Sequence, residues 1–285
     1  MSAIYDLHSH STASDGALSP EDLILRAKEK GVTCLALTDH DTVAGLSAAQ
    51  EAAKKVDLQF INGIEFSCTW NKKTFHIVGL GIDPSNPKLL AGIDSIQSIR
   101  IARAKKISQK LEKQKINGAY EAILAESSTT MVTRSHFADF LLKHDYVSTK
   151  QGAFDAYLGQ GKSAFVNTEW ATLEDTLHYI KSAGGVAVLA HPMRYKMTAS
   201  WMRRFLTAFK AEGGLGMEII TGRNNPDEIR RSLHFAKQFD LYGSVGSDFH
   251  SPKNKWVELG RLAALPVNIK PIWRLFPEST KETQT

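Results

Sequence analysis

Short apolar runs that end in histidine or a carboxylate recur along this chain of 285 residues. The run Ile4–Leu7 leads into His8-Ser9-His10, and the run Leu241–Gly246 leads into Ser247-Asp248-Phe249-His250. Helix-like stretches separate such runs, which is typical of α/β proteins with largely parallel strands. Because the carboxyl ends of parallel strands meet at one edge of a sheet or barrel, we expect these polar residues to form one site.

The apolar runs predict strands, and the stretches between them predict helices. We expect strands at Ile4–Leu7, Cys34–Thr38, Gln59–Glu65, Thr74–Leu80, Val186–Ala190, Gly216–Ile220 and Leu241–Gly246. Ser19-Pro20 should begin a helix that ends at Gly31, since serine is a good cap and proline suits the first helical position. A second helix, rich in alanine, should run from Thr42 to about Lys55.

Residues 88–162 show helix-like stretches and almost no strand signal. The α/β alternation resumes after them, so we interpret this region as a helical insertion in an α/β body. We expect the first part of the body at 1–97, the insertion at 98–164 and the second part of the body at 165–285. The length allows two units or a single barrel of about 250 residues.

The basic excess of the chain belongs to one segment. Between Gln97 and Gly118 stand seven lysines or arginines against a single glutamate, a local charge of +6, whereas the whole chain carries +5. Such a segment is a solvated helix face or a binding site for phosphate. Arg100 and Arg103 are one helical turn apart and share a face, which favours a phosphate clamp, but both interpretations stay open.

Composition excludes several classes of protein. With 42% hydrophobic and 23% charged residues, the chain is neither disordered nor collagen-like. Cys34 and Cys68 make no disulfide framework, and no apolar run of about 18 residues occurs, so we expect a cytoplasmic protein with no membrane association. A chain of this size buries enough surface to fold without a metal, and a metal site in it should therefore serve chemistry.

Histidines and carboxylates supply the candidate ligands of that site. His8 and His10 are alternate residues of an extended chain and face the same side, as do Asp248 and His250. Further candidates are His40, Glu65 and His191, which follow other strands, His76, which lies inside one, and Asp15, which precedes Gly16 in a turn. For His76 a buried structural histidine, and for Asp15 a plain turn residue, are the alternatives.

Imidazole and carboxylate ligands without a thiolate suit zinc, manganese or iron, and this set is too rich for one ion. Glu65 has two oxygens and can bridge two ions about 3.5–4 Å apart, an arrangement that is used in phosphoester hydrolysis. The residues therefore predict a hydrolase with more than one metal ion.

Six motifs in order resemble those of the polymerase and histidinol phosphatase (PHP) family. They are His8-x-His10, Thr38-Asp39-His40, Gly63-Ile64-Glu65, His76-Ile77-Val78-Gly79, Ala190-His191-Pro192 and Ser247-Asp248-Phe249-His250. The resemblance implies an α/β fold, a distorted (β/α)7 barrel, with a helical insertion domain. It is greatest for the stand-alone members that hydrolyse nucleoside 3′,5′-bisphosphates and degrade short 5′-phosphorylated RNA from the 5′ end.

The same resemblance implies the ligand sets and a cofactor of two or three divalent ions, manganese first, with zinc or iron(II) as alternatives. His8, His10, Glu65 and Asp248 would bind one ion, and Glu65, His76 and His191 the second. Asp15, His40 and His250 would be catalytic, either binding a third ion or contacting the scissile phosphate. Asp39 and Asp41, beside His40, are expected to support the ligands rather than to bind metal.

Insertion residues would bind the 5′-phosphate of the substrate. The resemblance and the phosphate-binding chemistry of arginine and of helix N-termini point to Arg100, Arg103, Arg134, Ser135 and His136, and Arg194 is a further candidate because it closely follows His191. The expected partners are a nucleoside 3′,5′-bisphosphate or a short 5′-phosphorylated RNA, with no obligate protein partner.

Three other functions remain open at this level. A histidinol-phosphate phosphatase, or another small-molecule phosphatase, would have the same metal ligands, but a basic helix beside its site would disfavour a cationic substrate. A nucleic-acid-binding module with structural metals would bind RNA or DNA without turnover. A metal-dependent amidohydrolase would need a carbonyl substrate and would gain nothing from clustered arginines.

Overall fold

A computed structural model describes residues 3–126 and 131–276, and its sheet is a distorted, nearly closed barrel. The strands are β1 (Tyr5–Asp6), β2 (Cys34–Leu37), β3 (Gln59–Trp70), β4 (Lys73–Leu80), β5 (Ala171–Thr172), β6 (Val186–Leu189), β7 (Gly216–Thr221) and β8 (Tyr242–Gly246). Their order is β1-β2-β3-β4-β6-β7-β8, with β5 paired to β3. The barrel closes between its first and last strands, where the Leu7 amide donates to the Val245 carbonyl oxygen at 3.0 Å. The predicted (β/α)7 architecture is confirmed.

Helices follow most strands and cover the barrel. The helices of the body are α1 (Pro20–Glu29), α2 (Leu46–Lys55), α7 (Leu173–Ser182), α8 (Ala199–Ala211) and α9 (Pro226–Gln238). Those between β4 and β5 are α3 (Pro87–Glu112), α4 (Ala119–Glu126), α5 (Arg134–Lys143), α6 (Lys150–Ala153) and a π-helical turn at Phe154–Leu158. None of the helices within residues 3–126 and 131–276 has the length and hydropathy to cross a membrane.

The strand directions differ in part from the prediction. The pairs β1–β2, β2–β3, β6–β7 and β7–β8 are parallel, as expected. By contrast, β4 is antiparallel to both β3 and β6. A tight turn at Asn71-Lys72 joins β3 to β4, and so short a connection permits only an antiparallel pair.

Because of this hairpin, β3 is longer than predicted. The prediction that β3 ends at Glu65 is wrong, because the strand continues to Trp70 and pairs Ser67 with His76. Glu65 and His76 therefore reach the site from inside two strands that run in opposite directions. A pattern of apolar residues does not reveal strand direction.

The predicted start of α1 is confirmed, whereas that of α2 is wrong. Ser19 caps α1 as predicted, its hydroxyl accepting from the Asp22 amide at 3.0 Å. The predicted start of α2 at Thr42 is wrong, since α2 begins at Leu46. Asp41 has a φ of 49°, so the chain turns here, and the Thr42 hydroxyl accepts from the Ala44 amide in that turn.

The buried apolar side chains of the described residues form two clusters. The larger lies between the barrel and its helices, and the first turns of α3 belong to it through Leu89, Ile93 and Ile96. The smaller is formed by the later part of α3 together with the other helices of the insertion, and Leu111, Phe137 and Leu141 are buried in it. The long helix α3 thus joins both clusters, and the expected boundary at residue 98 falls inside it. The division into domains stays a prediction.

Candidate metal centre and anion pocket

Glu65 lies at the centre of the converging histidines. It is fully buried, and its Oε1 atom lies 2.9 Å from His76 Nδ1 and 3.1 Å from His191 Nε2. Its Oε2 atom lies 2.8 Å from His40 Nδ1 and 3.4 Å from His10 Nε2. Side chains from β1, β2, β4 and β6 or the residues that follow them therefore meet on one carboxylate.

The two histidines after β1 face the same point as predicted from their spacing. His8 Nε2 lies 3.1 Å from His10 Nε2, and both side chains are fully buried. Asp248, after β8, brings its Oδ1 atom to 3.1 Å from His10 Nε2 and 3.4 Å from His8 Nε2. With Glu65, these residues form the set that the resemblance implies for the first ion.

The residues implied for the second and third ions lie beside the first set, and some residues belong to more than one set. Within residues 3–126 and 131–276, three groups have ligand atoms close enough to bind one ion: His8, His10 and Glu65; His40, Glu65 and His76; and His10, Asp15, His40 and His250. For the second ion, the resemblance implies His191 beside Glu65 and His76. The geometry groups these two residues with His40 instead, although His191 also lies next to Glu65. His250 Nε2 is 3.3 Å from Asp15 Oδ1.

The donor atoms fit bound cations. Among the described residues, Glu65 Oε2, His40 Nδ1 and Asp15 Oδ1 are buried and make no hydrogen bond, although they lie close to other ligand atoms. A buried acceptor without a partner is costly, and a divalent ion would satisfy these atoms. Burial and the nearby His250 lower the pKa of His10 to about 3, so this imidazole is neutral, as a metal ligand must be.

The carboxylates of the site are ionised. Burial alone raises the pKa of Glu65, but the charges of His76, His40 and His8 outweigh it and hold the pKa well below its usual range. For Asp248, the opposing charges of Arg194 and His8 likewise outweigh burial and lower the pKa well below its usual range. Ionised oxygens suit divalent ions, and a bound ion would take the place of the protons that the charged histidines carry.

Asp39 and Asp41 support the centre without joining it. Asp39 accepts hydrogen bonds from the Ser11 amide and hydroxyl and from the Ser14 hydroxyl, at 2.5–2.8 Å. Asp41 pairs with Arg100 at 2.5 Å and accepts from the Ser67 amide at 2.7 Å. Both carboxylates thereby fix the loop that carries His40.

Glu218 on β7 is a buried carboxylate that sequence reasoning missed. Its Oε1 atom lies 2.6 Å from His8 Nδ1, and its Oε2 atom accepts a hydrogen bond of 2.6 Å from the His191 amide. His191 has a φ of 32°, a left-handed conformation that only firm support maintains in a residue other than glycine. One carboxylate thus orients two candidate ligands from different strands. The signal was a lone acidic residue in the apolar run Gly216–Thr221.

Replacing Glu218 by Gln should weaken metal binding while the protein still folds. The amide cannot accept from both the His8 ring and the His191 amide, and loss of a group that orients metal-bound histidine costs about 10–100-fold in affinity. Competition with a chelating dye would measure the dissociation constant for manganese. Glu51→Gln, an exposed change on α2, is the matched control. Equal affinity in the two variants would contradict this role.

A cavity of about 220 Å³ opens beside the histidines. It is lined by Asp15, His40, Ser67, Thr74, His76, Arg100, Arg103, Thr133, Arg134, Ser135, Phe154, Phe165, Val166, Asn167, Thr168 and Trp170. Its walls come from the barrel on one side and from α3, α5 and the segment before β5 on the other. We call it the anion pocket, because its charged lining away from the metal centre is formed by three arginines.

The three arginines lie close together and differ in the hydrogen-bond partners of their guanidinium groups. Arg100 is buried, pairs with Asp41 and donates to the Ser67 hydroxyl at 2.8 Å. Within the described part of the chain, Arg103 Nε is buried without a hydrogen-bond partner, and burial together with Arg134 and Arg100 lowers the pKa of Arg103 to about 9. Clustered cations with unused donors favour a bound anion.

Two of the predicted substrate contacts lie outside this pocket. The His136 Nδ1 atom accepts from the Thr133 amide at 3.0 Å and completes the cap of α5, and the ring lines a second cavity, of about 270 Å³, with residues of the loop after β1. Arg194 is partly exposed and is hydrogen-bonded to Asp248, one of the candidate ligands. Arg100, Arg103, Arg134 and Ser135 do line the pocket.

A family model for the PHP domain matches residues 6–222. A 5′-3′ exoribonuclease of Haemophilus influenzae is 47% identical over 276 residues, which cover 97% of this chain and 100% of that protein. A 3′,5′-nucleoside bisphosphate phosphatase of Chromobacterium violaceum is 41% identical over 270 residues, covering 94% of this chain and 95% of the relative. The 5′-3′ exoribonuclease Rnm of Escherichia coli is 40% identical over 285 residues, with coverages of 99% and 97%.

Solved structures share the fold. A Chromobacterium violaceum structure described as an amidohydrolase with bound sulfate and no metal has a TM-score of 0.91 and 41% identity, covering 96% of this chain and 95% of that one. A Bifidobacterium adolescentis structure has a TM-score of 0.80 and 27% identity, with the same coverages.

Proposed function

Because this chain belongs to the PHP domain family, we propose that it is a metal-dependent phosphoesterase with two related activities. It hydrolyses the 3′-phosphate of nucleoside 3′,5′-bisphosphates, and it releases 5′-mononucleotides from short 5′-phosphorylated RNA as a 5′-3′ exoribonuclease. Relatives that bear these two names align over nearly the whole chain.

One observation carries the proposal: the anion pocket is lined both by residues of the candidate metal centre and by three arginines. Asp15, His40 and His76 line it together with Arg100, Arg103 and Arg134. A ligand that spans this cavity must carry two anionic groups. A nucleoside 3′,5′-bisphosphate does so, and so does the first nucleotide of a 5′-phosphorylated RNA.

The reaction places the 3′-phosphate at the metal centre and the 5′-phosphate at the arginines. Divalent ions bound by the ligand sets would neutralise the phosphoryl oxygens and activate water. The chain contributes position: Arg134 and Arg103 hold the 5′-phosphate, while His40 and His250 donate to the scissile phosphate and orient it for in-line attack. Asp15, 3.3 Å from His250 Nε2, orients that imidazole, unless a third ion occupies these three residues. Phe154, Phe165 and Trp170 supply aromatic surface for the nucleoside.

Both activities break the same bond. The bond between phosphorus and the nucleoside 3′-oxygen is cleaved, and the 3′-oxygen leaves as a hydroxyl. With a bisphosphate the products are a 5′-nucleotide and inorganic phosphate. With RNA the product is the first 5′-nucleotide, and the rest of the strand keeps a new 5′-phosphate, so the site can act again.

The other functions fit the observations less well. A histidinol phosphate ester carries one phosphate and a cationic group, which the arginine cluster would repel. A module with structural metals would not require the cavity of about 220 Å³ beside the histidines. An amidohydrolase substrate would not use the arginines.

Substrate preference tests this proposal. Manganese-loaded protein should turn over adenosine 3′,5′-bisphosphate and a 5′-phosphorylated dinucleotide with kcat/KM at least ~10²-fold above that for histidinol phosphate, since charged hydrogen bonds to the second phosphate are each worth about 1.5–3 kcal/mol. Phosphate release and product chromatography measure the rates. A preference for histidinol phosphate, or binding without turnover of any phosphate ester, would overturn the assignment.

Manganese as the native ion and a cytoplasmic location are part of the proposal. The ligand set of imidazoles and carboxylates supports manganese, zinc or iron(II) alike. The described cysteines, Cys34 and Cys68, are free and buried, which agrees with a reducing compartment.

A further inference from the structure

Trp256 is an unusually exposed tryptophan next to the metal centre in sequence. It is 75% exposed and lies in the loop that follows Asp248-Phe249-His250. Lys253 and Lys255, in the same loop, are exposed as well. An apolar ring exposed to water beside two cations has no structural benefit for the fold, and this combination is typical of surfaces that bind single-stranded nucleic acid.

Contacts join this loop to the loop after β7. A Cβ atom placed on Gly222 would lie 2.3 Å from the Ser247 carbonyl oxygen and 3.0 Å from Val257 Cγ1, so the two loops pack directly on each other. Arg223, which is exposed, and Trp256 are the chain neighbours of these contacting residues. Arg194, after β6, is hydrogen-bonded to Asp248. The three loops therefore form one basic rim beside Asp248.

Most of the acidic groups near this rim are paired with arginine. Glu258 pairs with Arg26 through two hydrogen bonds, of 3.0 and 2.6 Å. Asp227 is paired with Arg230, whereas Glu228 accepts from the Asn225 amide at 2.9 Å in the cap of α9 and keeps its charge. Arg223, Lys253 and Lys255 outnumber that one carboxylate, so the rim has an excess of positive charge, which favours phosphate groups.

The rim borders the metal centre at Asp248, outside the lining of the anion pocket. None of the described residues that line that pocket comes from the loops after β6, β7 or β8. A volume of about 220 Å³ suits a single nucleotide at most. If the 5′-phosphate lies at Arg134 and the pocket holds one nucleotide, the strand beyond the scissile phosphate leaves the metal centre outside the pocket, and the rim beside Asp248 offers a path for it.

We propose that the loops after β6, β7 and β8 bind the RNA nucleotides that lie 3′ of the scissile bond. A base stacks on Trp256, and Arg223, Lys253 and Lys255 bind the phosphates near it. The inference rests on the proposed function and extends it, because it assigns a binding track to the strand that remains after each cleavage. Stacking and charge without base-edge contacts predict little sequence preference.

The test compares a long with a short substrate in Trp256→Ala. With manganese-loaded protein, KM for a 5′-phosphorylated pentaribonucleotide should rise about tenfold, the loss expected for one stacked base, while kcat stays the same. Adenosine 3′,5′-bisphosphate does not reach the rim, so its kcat/KM should stay within about twofold. Trp256→Phe should restore most of the loss, because it keeps an aromatic face.

Matched controls lie at the opposite end of the barrel. Val267→Ala removes a fully exposed apolar side chain, and Lys270→Gln removes an exposed charge near the start of β8. Both should leave the pentaribonucleotide KM unchanged. Lys253→Gln with Lys255→Gln should raise it and reduce its dependence on salt concentration.

An unchanged pentaribonucleotide KM in Trp256→Ala, or an equal loss of activity on both substrates, would overturn the proposal. So would a change in the oligomeric state of this variant, measured by light scattering, because the rim would then be a contact between copies of this chain. Quenching of tryptophan fluorescence by a pentaribonucleotide with a phosphorothioate first linkage adds a readout independent of turnover. If the wild-type protein binds this RNA through Trp256 but hydrolyses no substrate, the proposed function fails and the binding track stands.

Discussion

Replacing Glu65 by Gln should abolish turnover of every phosphate ester that the protein accepts. The Glu65 carboxylate lies within 3.4 Å of nitrogen atoms from five histidines, so its charge serves more than one candidate ion. A neutral amide offers one acceptor in place of two charged oxygens and cannot bridge. Loss of a single stabilising group in an active site commonly costs about 10²–10³-fold in kcat, and a bridging ligand should cost at least that.

The measurement separates lost chemistry from lost folding. Phosphate release from adenosine 3′,5′-bisphosphate and from p-nitrophenyl phosphate gives the rates, and elemental analysis of the purified variant gives its metal content. Circular dichroism shows whether the protein folds. The isosteric change leaves the packing around this fully buried side chain intact. Activity near the wild-type level, with metal content retained, would show that Glu65 does not bridge.

The change Arg134→Ala should impair substrates with a 5′-phosphate and spare those without one. Arg134 lines the anion pocket at the start of α5. Burial together with the nearby Arg100 lowers the pKa of Arg134, so a bound anion would stabilise its charge. A charged hydrogen bond to phosphate is worth about 1.5–3 kcal/mol, so kcat/KM for adenosine 3′,5′-bisphosphate should fall by roughly 10–150-fold. For p-nitrophenyl phosphate the loss should stay within about threefold.

Arg134 is a sharper test of the clamp than Arg100. Arg100 is bound to Asp41, which also holds the Ser67 amide, so its loss would disturb the loop that carries His40. Lys105→Ala is the matched control for charge, since Lys105 is exposed on α3. Equal losses on the two substrates in Arg134→Ala would remove the clamp from the mechanism.

Much of the fold was predictable because its signals are local. The strands β2, β6, β7 and β8 lie within one or two residues of the predicted runs, since buried parallel strands are apolar throughout. The cap of α1 by Ser19 depends on neighbouring residues alone. The reversal of β4 was missed because an apolar run looks the same in either direction.

The convergence of the candidate ligands was predictable for a similar reason. A short motif such as His8-Ser9-His10 fixes the relative direction of its own side chains, and strand ends bring such motifs together. Glu218 could not be found in this way, because it is a single residue whose contacts, to His8 and to His191, are with distant parts of the chain.

The sequence by itself determined that the basic charge lies in one helical segment and that the candidate metal ligands lie in or after separate strands, since composition and periodicity are properties of the chain. Only the tertiary structure decided which cations serve the pocket. Arg100 and Arg103 turn inward against Asp41 and Trp170, whereas Lys105, Lys106 and Lys113 of the same segment lie exposed. The physical reason is that a helix presents cations on several faces, and only the elements packed against it determine which face becomes a binding site.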